Sequence, residues 1–135
     1  MAQYYDWADA EFAEVSSVDV DATAVADAAS LTTDAVSLDG YTGAEVMVTT
    51  VEDNTGACDD NVYVYVLGLG ATGYETIDDA PALAAVIDQV QNTTRHAHFA
   101  IDAAEYSSFK ILVFNDCGQE VAVSIKVALA QLGAT

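Results

Sequence analysis

The chain has 135 residues, 53% of them hydrophobic, and sets 22 Asp and Glu against Arg95, Lys110 and Lys126 for a net charge of −19. That apolar content excludes a disordered chain, and the length fits one packed domain. The charge excludes nucleic acid and anionic lipid as partners, because binding either needs a Lys/Arg patch that displaces counterions. No apolar run approaches the roughly 20 residues of a membrane-spanning helix, so no membrane association is expected. The first residues lack a basic n-region and an apolar h-region, which makes cytoplasmic synthesis the expectation. The acids are spread along the chain as a solvated surface. Two origins for them stay open: a saline habitat, where screening acts over roughly 3 to 10 Å, or resistance to aggregation while apolar contact surface is presented.

Residues 1–13 show neither helical nor strand period and read as an arm. It carries Tyr4, Tyr5, Trp7 and Phe12 among Asp6, Asp9 and Glu11. VSSVDVDATAVADAA (15–29) alternates weakly with small residues, and DAVSLDGYTG then makes a turn at Gly40 and Gly43. AEVMVTTVED (44–53) and NVYVYVLG (61–68) read as two strands of a hairpin joined by the long turn NTGACDD. In the second strand Val62, Val64 and Val66 face one way, and Tyr63, Tyr65 and Leu67 the other.

DDAPALAAVIDQVQN places Leu83, Val86, Ile87 and Val90 at i, i+3, i+4 and i+7, with Asp79 as N-cap and Pro81 just inside. That pattern predicts a short helix over 81–91, with a strand AVIDQV as the alternative. RHAHFAID (95–102), FKILVFN (109–115) and EVAVSIKVALA (120–130) read as further strands. The last is the cleanest: Val121, Val123, Ile125, Val127 and Leu129 face inward, which makes it central or near-central. Domain boundaries follow at 1–13 for the arm and 14–135 for an antiparallel β-sandwich.

Candidate chemistry is thin. There is no GxSxG and no HExxH. LGLGATGYE (67–75) matches G-x-G-x-x-G at Gly68, Gly70 and Gly73, but Tyr74-Glu75-Thr76 follows where a dinucleotide site needs a helix inside a βαβ unit. His96 and His98 share one strand face, a workable spacing for two metal ligands, yet a closed site needs more from elsewhere. Glu52, Asp53, Asp59 and Asp60 gather in one turn without the D-x-[DN]-x-[DN]-G calcium loop. The expectation is therefore no catalytic residue, no metal and no cofactor. Tyr63 and Tyr65 form either an exposed aromatic strip for sugar or protein contact, or part of a covered sheet face. Cys58 and Cys117 both fall in turns and read as free thiols, with a bond open only if the two turns share one end of the fold.

From about Ser37 onward, SLDGYTGAEVMVTT, YVYVLG, IDAAEYSSFKILVFN and the final EVAVSIKVALA resemble small β-sandwich structural proteins of tailed bacteriophages, in particular capsid cement or decoration proteins. The resemblance covers roughly 100 residues and is one of texture, shared with phage tail and other virion sandwiches. It implies a jelly-roll-like core and a non-enzymatic role on the outer surface of a virion, after synthesis in the host cytoplasm. It also implies contact with a major capsid protein, self-association as a further contact, and no catalytic residues. Tyr4, Tyr5, Trp7 and Phe12 of the arm have the area and shape of interface anchors and are the expected partner-binding residues. A carbohydrate- or cell-surface-binding sandwich is the alternative.

Overall fold

Alternation of β-branched residues is the dominant local signal in this chain, and it resolves into strands throughout. The computed structural model describes residues 19–53, 58 and 60–130, together with the strand course of 12–14. The strands are β1 (Phe12–Glu14), β2 (Val20–Val25), β3 (Ser30–Thr32), β4 (Val36–Ser37), β5 (Gly43–Glu52) and β6 (Asn61–Gly70). They continue with β7 (Gly73–Tyr74), β8 (Ala82–Asp88), β9 (Thr93–Asp102), β10 (Ser108–Asn115) and β11 (Val121–Ala130).

Two antiparallel sheets pack face to face. One runs β1 and β2, then β11, β5 and β9; the other runs β3 and β4, then β10, β6, and β8 with β7. The chain thus crosses between sheets at β2–β3, β4–β5, β5–β6, β8–β9, β9–β10 and β10–β11, which, with β1/β2, β3/β4 and β7/β8 each counted as one interrupted strand, is the winding of an eight-stranded double-sheet jelly roll. The fold class expected from the sequence is the one observed.

β11 lies between β5 and the β1/β2 edge, and Val121, Val123, Ile125, Val127 and Leu129 all point into the core as expected. Val46 and Val48 of β5, Val62, Val64 and Val66 of β6, and Phe109, Ile111 and Val113 of β10 meet them. The first strand is weaker than its alternation suggests. A bulge on β2, between its pairings Val123↔Thr23 and Ile125↔Val20, places Ala22 at φ 44° with its N–H on Ser124 Oγ at 2.9 Å. That extra residue lets both Val20 and Val25 reach the core despite their odd spacing.

The expected helix over 81–91 does not form. A single 3-10 turn, Ile77–Asp79, precedes the strand β8. The helical spacing has a physical source. β8 pairs with β6 as Val64↔Ala85 and then Tyr65↔Leu83, so Ala84 is an extra residue in a bulge. A bulge shifts side-chain parity by one, and so Leu83 and Val86, three apart, face the same side while Ile87 turns inward.

The second correction concerns the cysteines. Cys58 and Cys117 are bonded, with Cα atoms 5.3 Å apart. The β5–β6 and β10–β11 connections both lie at one end of the sandwich, because β5–β11 and β6–β10 are neighbouring pairs. Tyr4, Tyr5 and Trp7 lie outside the described residues. Phe12 does not stand apart from the domain, since its backbone pairs with Ala130 of β11.

Candidate functional site

The outer face of the second sheet is the most unusual surface of the molecule. Its positions are set by β6, whose valines fill the core and whose alternate residues must therefore face out. Reading across four strands, Val86, Tyr63, Phe114 and Ser30 form one row. Leu83, Tyr65, Leu112 and Thr32 form the next, and Leu67 stands beside Lys110 in a third. None of these ten positions is acidic, in a chain where 22 of 135 residues are. Carboxylates resume at the rim, with Asp88 opposite Asn61.

Cross-strand pairing makes part of this face dry. Leu67 and Leu112 are only 3% and 5% exposed although they point away from the core. Tyr65 lies directly opposite Leu112 on the neighbouring strand, the spacing at which a large ring covers its partner. Leu83 and Val86 at the β8 edge stay open, at 51% and 50% exposure. Lys110 does not interrupt the patch with a free charge, because its Nζ sits 4.7 Å above the Tyr74 ring. Tyr74 in turn shares a hydrogen bond with Ser108 Oγ at 2.5 Å. Tyr63 and Tyr65 thus belong to an aromatic strip that is half-buried at its centre and open along one side.

A second feature lies at one end of the sandwich. Tyr106 leaves the turn after β9, where its N–H and that of Glu105 both donate to Asp102 O. Its ring lies against Gly68, where an added Cβ would come within 3.0 Å of Tyr106 Cε1 and 3.1 Å of Glu75 Oε1. Glu75 Oε1 accepts the Gly68 N–H at 2.8 Å. This is what the LGLGATGYE glycines do: Gly68 leaves room for a ring and a carboxylate, and Gly73, at φ +132°, turns the β6–β7 hairpin. Only the 3-10 turn Ile77–Asp79 and then the strand β8 follow, so no α-helix N-terminus meets the loop. Tyr106 lines both a cleft of 410 Å³, beside Glu75 and Glu105, and one of 630 Å³ beside Asp39 and Tyr41. Partial burial, then the charges of Glu75 and Glu105, raise its phenol above the usual tyrosine range.

The other candidates are occupied locally. His98 Nε2 meets Glu45 Oε1 at 3.1 Å, and His96 Nδ1 shares a hydrogen bond with Thr49 Oγ1 at 3.0 Å. Both histidines are thereby tied to β5, on the outer face of the first sheet. Glu52 points inward and is buried, accepting Asn92 N–H at 2.8 Å. Beside it Thr50 donates to Gln89 Oε1 at 2.5 Å, and Gln89 Nε2 reaches Thr93 O at 3.0 Å, so this network closes the β8–β9 end. Among the described residues no three His, Cys, Asp or Glu side chains are grouped as metal ligands, and no helix is long and apolar enough to cross a membrane.

No protein-family model matches the chain, and no curated protein matches its sequence. Solved structures are similar in fold. Latent dimeric PorU from Porphyromonas gingivalis aligns with a TM-score of 0.56 at 9% identity, over 98% of this chain and 13% of that one. Tripeptidyl peptidase 2 aligns at 0.51 and 9% identity, over 94% of this chain and 10% of that one. The VP2 subviral particle of infectious bursal disease virus aligns at 0.49 and 11% identity, over 92% of this chain and 33% of that one. The chain spans a third or less of each of these proteins, and at such identities the first two likenesses show the fold alone and nothing of activity.

Proposed function

We propose that this chain is a non-enzymatic virion structural protein that binds the outer surface of a tailed-phage capsid, against the major capsid protein, and stabilises it. The observation that carries the reading is the acid-free face built on β6 and β10. A −19 chain that keeps carboxylates off three rows of one sheet face, and leaves Leu83 and Val86 half exposed there, reserves that face for contact with protein. The acids around it oppose aggregation through this face and set orientation on a partner with basic patches. Tyr4, Tyr5, Trp7 and Phe12 are the further proposed anchors, on their composition. The Phe12 backbone, paired to β11, roots that segment on the sandwich. The capsid as partner, and the virion surface as location, rest on the sequence texture and on the use of double-sheet jelly rolls in capsid domains.

Tyr63 and Tyr65 on an outward sheet face favour a second reading, a carbohydrate-binding sandwich, since jelly rolls also serve lectins. One experiment separates the two. Wild type and a Leu83→Asp, Val86→Asp double variant are co-sedimented with purified capsids and applied to a glycan array. The proposal expects capsid binding by wild type, its loss in the variant at an unchanged melting temperature, and no glycan signal. Glycan binding without capsid binding would overturn it in favour of the second reading, and capsid binding untouched by the variant would remove this face from the contact.

A further inference from the structure

Among the described residues the two sheets present four edges, and three of them are interrupted. The β1/β2 edge is two separate strands, one of them bulged at Ala22. The β3/β4 edge is likewise two short pieces. The β7/β8 edge is divided and bulged at Ala84. Such interruptions are how sheets avoid pairing with other chains. β9 has none of them. Its ten residues pair with β5 in unbroken register from Gly43↔Asp102 to Glu52↔Thr93, without proline, glycine or bulge.

The direction of its free hydrogen-bonding groups follows from one contact. Ala103 N–H donates to Thr42 O, which fixes the phase of the ladder just before its first pair, Gly43↔Asp102, although the Thr42 N–H itself goes to Ala130 O of β11. Bonded and non-bonded pairs alternate in an antiparallel ladder. Hence the odd residues Arg95 to Ile101 turn their backbone groups to β5, while Thr93 O accepts Gln89 Nε2. Thr94, His96, His98 and Ala100 turn theirs to the open edge.

Charge then says what fits there. Thr93 to Ile101 contain no carboxylate and hold Arg95, His96 and His98. Glu45, one strand further in, already meets His98. Two copies of a −19 chain repel almost everywhere; at this edge they approach without setting carboxylate against carboxylate. We infer that the free edge of β9 is a self-association surface, on which β9 of a second copy adds antiparallel about a two-fold axis and continues the sheet across both molecules. One strand edge buries less than a standard interface, so the dimer is weak, with a Kd on the order of micromolar to millimolar. Salt strengthens it, because screening removes the repulsion between the two acidic bodies.

The test is sedimentation of the full chain over a range of concentrations in about 0.1 M and about 1 M NaCl. Wild type is expected to dimerise reversibly, more so in high salt. His98→Pro removes an edge-facing N–H that β5 does not use, so it should raise the Kd at least about tenfold at little cost in melting temperature. Ala100→Asp leaves the backbone intact and restores a carboxylate at the edge. It should be monomeric in low salt and recover partly in high salt. A wild type that stays monomeric in both salts, or a dimer indifferent to both variants, would overturn the inference. None of these outcomes depends on whether a capsid is bound.

Discussion

Cys117 N–H donates to Oδ1 of Asn115 at 3.0 Å, while Nδ2 of the same buried amide donates to Val25 O at 3.0 Å and Gln119 O at 2.6 Å. One side chain thus joins the end of β2 to the β10–β11 turn and seats the cysteine that bonds Cys58. Asn115→Ala removes a partner from the buried Val25 carbonyl, the half-buried Gln119 carbonyl and the Cys117 N–H, and should lower stability by about 1–3 kcal/mol. A urea midpoint shift equivalent to less than about 1 kcal/mol would mean that water replaces the amide.

Removing the bond itself has a larger reach. Cys58 and Cys117 are 59 residues apart, and a closed loop of that length restricts the unfolded chain by about 4 kcal/mol in the entropic account. A Cys58→Ala, Cys117→Ala variant should therefore melt several degrees lower than oxidised wild type. Wild type with reductant should fall toward the variant. Equal melting temperatures with and without reductant would show that the bond contributes nothing to the fold.

Gly68 is a tight point of the sandwich end. A Cβ there meets the Tyr106 ring at 3.0 Å and the Glu75 carboxylate at 3.1 Å, so Gly68→Ala must displace one of them at a cost of about 1–3 kcal/mol. Pairing the change with Tyr106→Ala should recover part of that loss. A double variant that shows simple additivity would mean the ring is not what the methyl meets.

Tyr106 also predicts an alkaline signature. Its folded pKa is raised, by burial first and then by Glu75 and Glu105, so the fold binds the phenolic proton more tightly than the unfolded chain does. The stabilisation is fully present below the unfolded value, about 10, and is lost as pH rises through the higher folded value. Stability of wild type should accordingly fall more steeply above that pH than stability of Tyr106→Phe. Parallel stability–pH curves would remove the assignment.

Ile125 sits fully buried at the middle of β11, opposite Val48 of β5. Ile125→Ala should cost about 2–5 kcal/mol, measured by chemical denaturation. A loss below about 1 kcal/mol would be the behaviour of an exposed edge strand.

Much of this was legible in one dimension. The alternation of Val121, Val123, Ile125, Val127 and Leu129 determined both that β11 is a strand and which face it buries, because a period of two allows one apolar face only. The same holds for β6, where Tyr63 and Tyr65 could be set on the face opposite the valines before any pairing was known, though not whether that face is covered. Composition determined an acidic surface around an apolar interior. Tertiary structure decided the rest, for a common reason: each remaining feature depends on residues that are distant in sequence. The spacing of Leu83, Val86 and Ile87 fits a helix locally, and only pairing with β6 converts it into a bulged strand. Cys58 and Cys117 look like separate turn residues until two neighbouring strand pairs bring their turns to one end. The acid-free face exists in no single segment, since its rows are assembled from β8, β6, β10 and β3. The unbroken edge of β9 follows from its place in the strand order, because an edge is a property of which neighbour is absent from a sheet rather than of the strand itself.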